Sequence, residues 1–213
     1  MTRSQTTVNL ASLIVAFASM VYELGLAQIL SALLGGTSLR YAVTIGLFTA
    51  TLGIGALTFD ALKDRYPSEV MFPFFQNLLA WVGLLSPFFL IELKSEHWVL
   101  NHLPIIVIGF LSGIELPLLM NISSEKKRNL VLAYDYVGMF AATLFFPLIL
   151  LPRVGVISTV LVATVLNAAI GLFFMKEQRF GFIKSALLVV LLLSILALIN
   201  QESVLRYASQ AFI

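Results

Sequence analysis

Long apolar runs separated by short polar segments make up most of the sequence. A helix that crosses a bilayer needs about 20 consecutive, mostly apolar residues, and seven runs approach or exceed that length. The breaks between them carry most of the charged residues, together with glycines and prolines. The pattern predicts an all-α, multi-pass membrane protein, a bundle of about seven transmembrane helices forming a single domain over residues 1–213. The predicted helices cover residues 10–34, 41–62, 70–91, 98–120, 130–151, 154–175 and 182–199.

Composition supports a lipid environment and excludes several functional classes. Hydrophobic residues make up 60% of the chain and charged residues 11%, whereas soluble domains carry about 25% charged residues. The chain has no Cys, which excludes disulfides, thiol nucleophiles and Cys-ligated metals. The net charge of +2 is not clustered, so we expect no nucleic-acid partner. No Walker loop or dinucleotide fingerprint is present, and we expect neither a cofactor nor a metal.

The distribution of Lys and Arg predicts an orientation, because positive residues accumulate on the cytoplasmic side of a membrane. The N-terminus and the loops after the second, fourth and sixth predicted helices hold nine of them, and the opposite side holds four. We therefore expect a bacterial cytoplasmic (inner) membrane protein with a cytoplasmic N-terminus. The seventh segment is short and begins beside Lys184. If it spans, the C-terminus lies outside; if it lies in the interface, the C-terminus is cytoplasmic.

Three acidic residues fall inside predicted helices, namely Glu23, Glu115 and Asp135. A charged side chain at the centre of a bilayer costs about 2.5–3.5 kcal/mol on insertion scales. No Lys or Arg lies at comparable depth, so we expect the acids to face the bundle interior or a wet cavity. Small residues repeat on the helical face of Glu23: Ser12, Ala16, Ser19, Ala27 and Ser31.

Small residues near the other two acids predict close helix packing. Gly109 and Gly113 form a Gly-x-x-x-Gly pair in the fourth predicted helix, and Gly138 lies one turn after Asp135. Small residues at this spacing let membrane helices approach closely. Pro117 follows Glu115 and removes a backbone donor, which leaves a carbonyl group in need of a partner.

The acids support two interpretations. In one, they bind a cationic ligand, and aromatic rings beside them add cation–π contact. In the other, they are protonated and only join helices by hydrogen bonds, or Lys126 or Arg128 snorkels to them. The candidate ligand-binding residues are Glu23, Glu115, Asp135, Tyr22, Tyr134 and Tyr136. We assign no catalytic residue and no metal ligand.

Several segments, in this order and spacing, resemble the membrane-embedded N-terminal domain of integral-membrane spermidine synthases (polyamine aminopropyltransferases). The resemblance covers about residues 10–175. Each segment is short, but together they are fairly specific, and the third and fourth below match best. The segments are Tyr22-Glu23-Leu24, Thr44 to Gly55, Gly113-Ile114-Glu115-Leu116-Pro117, Asp135-Tyr136-Val137-Gly138 and Phe146-Pro147 to Gly155.

The resemblance implies that membrane insertion and catalysis belong to different domains. In that family a soluble, Rossmann-like aminopropyltransferase domain follows the membrane domain, and the given sequence ends about where that domain would begin. We therefore expect a chain that does not by itself transfer aminopropyl groups, but binds or handles polyamines or other cations through its intramembrane acids. It would do so either as a stand-alone relative of the membrane domain or beside a separate catalytic subunit. Two alternatives remain: a structural or assembly subunit without a ligand, and a small proton-linked cation transporter.

Overall fold

The described part of the chain is helical almost throughout. The computed structural model describes residues 4–36, 38–93, 98–175, 181–203 and 206, and these contain no strand. The all-α class predicted from the sequence is therefore confirmed. The helices are α1 (Gln5–Leu34), α2 (Ser38–Leu62), α3 (Ser68–Leu93), α4 (Trp98–Asn101), α5 (Leu103–Ile122), α6 (Arg128–Phe145), α7 (Leu151–Phe174) and α8 (Gly181–Ile199), with a 3₁₀ turn at Glu125–Lys127 and a π-helix at Phe146–Leu150.

Local sequence explains where the first helix begins and ends. Ser4 caps α1 because its hydroxyl accepts a hydrogen bond from the backbone N–H of Thr7 (3.3 Å). At the other end Gly35 adopts φ 95°, and its N–H bonds to the carbonyl of Ser31. A residue without a Cβ reaches this left-handed conformation at little cost. The helix therefore starts at Gln5, earlier than the apolar run that predicted it.

Two predicted boundaries are wrong. The fourth predicted helix, 98–120, is divided at His102 into the single turn α4 and the longer α5. The separator expected at Pro152 and Arg153 instead lies in helical backbone just before Gly155. The chain leaves helical geometry at Gly155, with φ 77° and ψ 167°, which only glycine adopts without strain.

Contacts along α1 show that α6 and α7 run in opposite directions. Helices α1 and α6 run in the same direction. Ser12 bonds to Val131, and Phe17, further along α1, packs edge-on against Phe145, which lies further along α6. In α7 the order reverses, since Thr164 bonds to Tyr22 whereas Val160 lies beside Gly25, further along α1. The interruption near Gly155 therefore reverses the chain.

Six described segments are long and apolar enough to cross a membrane. The fifth, Glu125–Phe174, has 50 residues and contains both α6 and α7. At one end of the bundle the Gln5 side chain accepts a hydrogen bond from Ser123, and Ser68 accepts one from Asn121. The N-terminus and the α2–α3 and α5–α6 connections therefore lie together. Four of the charges used to predict orientation lie outside the described residues: Arg3, Lys94, Lys176 and Arg179.

Glycines bring two helix pairs into backbone contact. A Cβ added to Gly113 of α5 would lie 2.0 Å from the carbonyl oxygen of Leu52 in α2, and one added to Gly55 would lie 2.0 Å from that of Phe110. In the second pair, a Cβ on Gly138 of α6 would lie 2.2 Å from the Leu13 carbonyl oxygen of α1. The close packing predicted from these small residues is confirmed.

We expect Gly55→Ala to destabilise the protein and Gly53→Ala to leave it intact. The Gly55 methyl would displace α5 and lower the free energy of unfolding by about 1–3 kcal/mol. Gly53 lies in the same helix with no atom within 4 Å of an added Cβ, so its replacement should be neutral or stabilise by about 0.5–1 kcal/mol. Thermal unfolding of the purified protein measures both, and equal effects would contradict the close α2–α5 packing.

Candidate functional site

A partly enclosed cavity of about 280 Å³ lies between α1, α2, α5 and α6. We call it the carboxyl chamber, because Glu115 of α5 and Asp135 of α6 both line it. Most of the remaining wall is apolar. The other lining residues are Val15, Ala16, Ser19, Leu52, Ala56, Ser112, Gly113, Leu116, Pro117, Met120, Tyr136 and Met139.

The two acids have different surroundings. Glu115 is 3% exposed, and its Oε1 accepts a hydrogen bond from the Gln76 side-chain amide of α3. Asp135 is 7% exposed and has neither a hydrogen bond nor an ion pair within the ranges that the structure describes. A buried carboxyl group without a donor is costly. Asp135 therefore holds unused acceptor capacity in the chamber.

Two further acceptors belong to the same wall. The Oγ of Ser112 is buried and has no hydrogen-bond partner, although buried polar atoms are normally paired. Pro117 has no N–H, so the carbonyl of Gly113, four residues earlier, lacks its usual helical donor. Ser112, Gly113 and Pro117 all line the chamber. The α5 wall therefore offers acceptors next to Glu115 that its own helix does not satisfy.

A polar layer lies behind Glu115, between α1, α3 and α7. The Tyr22 hydroxyl is fully buried and donates to Thr164 Oγ1 (3.1 Å). On α3, Gly83 leaves room for the Tyr22 ring, since a Cβ there would lie 2.3 Å from the hydroxyl. Asn167, one turn beyond Thr164, is 1% exposed. Gln76 and Tyr22 therefore belong to a set of buried polar side chains on neighbouring helices.

The structure brings together only some of the candidate residues. Glu115, Asp135 and Tyr136 line the carboxyl chamber. Tyr22 bonds to Thr164 instead, and Tyr134 is half-buried and does not line the chamber. Glu23 is buried elsewhere, close to Tyr41 at the start of α2.

A second cavity, of about 300 Å³, adjoins the chamber on the side of the α2–α3 and α5–α6 connections. The two share the lining residues Ala56, Pro117 and Met120. The polar residues of the second cavity are Asp60, Lys63, Asn121 and Arg128.

The cations of this second cavity do not neutralise the buried acids. Lys63 pairs with Asp60 (2.7 Å). Arg128 donates its Nε–H to the Met120 carbonyl (3.2 Å), and within the described ranges it forms no ion pair with Glu115 or Asp135. Snorkelling of Arg128 to either acid is therefore not observed.

Sequence reasoning missed Gln76. The available signal was a Gln-Asn pair, Gln76 and Asn77, in an otherwise apolar predicted helix. Such amides mark interhelical hydrogen bonds in membranes, but the partner helix follows only from the fold. No group of three His, Asp or Glu residues within the described ranges is placed to hold a metal ion.

We expect Gln76→Leu to cost about 1–3 kcal/mol in the free energy of unfolding, because it leaves the Glu115 carboxyl without its donor. Asn77→Leu is the matched control. The Oδ1 of Asn77 is buried without a partner, so an apolar side chain of similar size should be neutral or stabilising. Thermal unfolding of the two variants would contradict this role for Gln76 if both lost the same stability.

Comparison with known proteins identifies relatives over most of the chain. The chain is 33% identical to polyamine aminopropyltransferase 1 of Streptomyces coelicolor over 89% of its length. It is 26% identical to a polyamine aminopropyltransferase of Leptospira interrogans over 97%, and 31% identical to polyamine aminopropyltransferase 2 of Ralstonia nicotianae over 84%. In the relatives themselves the match covers 38%, 44% and 37% of the full length, respectively. No protein-family model matches the chain, and no solved structure matches it.

These relatives correct the function expected from the sequence. We expected a membrane module without catalytic activity, a structural subunit or a small cation transporter. The relatives that match most of the chain are named polyamine aminopropyltransferases, not transporters or structural subunits. The earlier expectation depended on the position of the last residue, which carries no information about activity. The chain has homologues named polyamine aminopropyltransferases along most of its length, and it spans less than half of theirs.

Proposed function

We propose that this chain is the membrane-embedded part of a polyamine aminopropyltransferase, an enzyme that transfers an aminopropyl group to an amine. The similarity to three named transferases over 84–97% of the chain carries this proposal. The described helices supply a bundle with a mainly apolar chamber that two carboxyl groups line. The resemblance places the transfer chemistry itself in a Rossmann-like domain, so we assign no catalytic residue among the described ones.

The site geometry supports the proposal in one respect. The two segments that match best, residues 113–117 and 135–138, lie in different helices and about twenty residues apart in sequence. In the fold they form facing walls of the carboxyl chamber. The resemblance is therefore concentrated at a site and not only in the general apolarity of the helices.

We further propose a bacterial cytoplasmic membrane location with the N-terminus in the cytoplasm. The long apolar helices need lipid as their surroundings. Lys63 and Arg128 lie at the end of the bundle that also holds the N-terminus. Positive residues favour the cytoplasmic face.

The enzyme proposal predicts that transfer activity in membranes depends on this chain. Washed membranes from cells that carry its coding sequence should form spermidine from putrescine and a labelled aminopropyl donor. Membranes from a deletion strain should fall to background, and a plasmid copy should restore the rate. Chromatographic separation of the labelled product measures this. Equal rates with and without the chain would overturn the proposal.

The orientation predicts which positions a membrane-impermeant thiol reagent reaches. The chain has no Cys, so single cysteines report cleanly. Ser124→Cys, in the exposed α5–α6 connection, should react only after the cells are opened. Asn200→Cys, just beyond α8, should react in intact cells if α8 spans the membrane. The reverse pattern would contradict the orientation, and protection of both in intact cells would place α8 in the interface.

A further inference from the structure

We propose that the carboxyl chamber and the second cavity together bind the headgroup of an ethanolamine phospholipid, with the ammonium group in the chamber and the phosphate beside Lys63 and Arg128. This inference goes beyond the transferase activity and does not need it. It depends on the membrane placement proposed above, because the ligand reaches the site from the bilayer.

The acceptors in the chamber suit a primary ammonium group. Such a group has three N–H donors and no acceptor. The chamber presents the carboxyls of Glu115 and Asp135 and the unpartnered Oγ of Ser112. Ser112 is 94% buried, as it is 6% exposed, so its hydroxyl has no ready access to bulk water. A charge-assisted hydrogen bond to such buried acceptors is stronger than one between neutral groups.

The second cavity suits an anion on the same molecule. Lys63 and Arg128 contribute two positive charges and Asp60 one negative charge, which leaves +1 at this site. The hydrogen bond to Asp60 raises the pKa of Lys63 above its usual value, while the nearby Arg128 opposes the rise, as expected of two neighbouring cations. Arg binds phosphate groups with fixed, forked geometry. A cavity lined by two carboxyl groups adjoins one with a net positive charge, and the two share three lining residues, which matches a zwitterion better than a simple cation.

The helix arrangement provides lateral access for a lipid. The chamber is lined by both α2 and α6, yet these two helices do not pack extensively against each other, whereas α2 packs on α5 and α6 on α1. Tyr136, at the α6 edge, is 59% exposed. The gap between α2 and α6 therefore opens towards the bilayer. Acyl chains would remain in lipid while the headgroup enters.

The chemistry of the site also excludes other common headgroups. Phosphatidylcholine carries a quaternary ammonium without N–H donors, so it would leave the Asp135 and Ser112 acceptors unpaired. Phosphatidylglycerol has no cationic group for the two carboxyls. Phosphatidylserine adds a carboxylate beside its ammonium group, and neither Lys nor Arg lines the chamber to pair with it. Specificity here comes from groups that the wrong headgroup leaves unsatisfied.

The test is lipid retention by the full chain. The protein is reconstituted into vesicles of equal phosphatidylethanolamine and phosphatidylcholine, extracted in mild detergent, and its bound lipid quantified by mass spectrometry. We expect wild-type protein to retain ethanolamine lipid over choline lipid by about tenfold. Asp135→Asn should bring the ratio close to one. Asp135 has no hydrogen-bond partner to lose within the described ranges, so this variant is expected to fold.

Glu23→Gln is the matched control, because Glu23 is a buried helical acid that does not line the chamber; it should keep the wild-type ratio. Arg128→Gln should lower the total amount of bound lipid with the ratio unchanged, because both lipids carry the phosphate that Arg128 is proposed to contact. Equal retention of the two lipids by wild-type protein, or an unchanged ratio in Asp135→Asn, would overturn the proposal. Displacement of bound lipid by soluble phosphoethanolamine at comparable concentration would identify a soluble source and overturn the lipid assignment.

Discussion

Backbone contact between helices at glycine is the constraint on which the rest of this bundle depends. In the proposed membrane location there is no hydrophobic force between apolar helices, so association relies on close packing and hydrogen bonds. Gly55 and Gly113 join α2 to α5, and Gly138 joins α6 to α1. The two pairs also contact each other, because α1 packs against α2 and α5. The carboxyl chamber lies among these four helices, with Glu115 contributed by one pair and Asp135 by the other.

The two acids of the chamber, Glu115 and Asp135, differ in their hydrogen-bond partners. Gln76 provides a donor to Glu115 from α3, whereas Asp135 meets no donor within the described ranges. An unpaired buried carboxyl group is costly. Asp135, Ser112 and the Gly113 carbonyl therefore remain available to accept hydrogen bonds from a ligand in the cavity. The relatives that match most of the chain are named aminopropyltransferases. The chamber's neighbouring cations supply the reason to consider a zwitterionic lipid.

Sequence reasoning found the site in part. Glu115 and Asp135 stood out because acids in apolar runs are expensive, and the Gly109–Gly113 and Gly138 spacings correctly indicated close packing. Glu23 carried the same signal, yet it is buried near Tyr41 and does not line the chamber. Tyr22, next to Glu23 in sequence, was a candidate ligand-binding residue, but neighbouring residues on a helix face different directions. Its hydroxyl therefore reaches α7 instead.

The sequence by itself determined the helical class, because long apolar runs in lipid must satisfy their backbone groups internally. It also determined which acids would be buried. Only the tertiary structure decided which of them meet, because that depends on the order in which helices pack. The tertiary structure also decided the exact point of the chain reversal, which lies at Gly155 and not at Pro152, where the sequence predicted a separator. It decided the partner of the Gln76 amide as well, because residue spacing cannot identify the helix on which that partner lies.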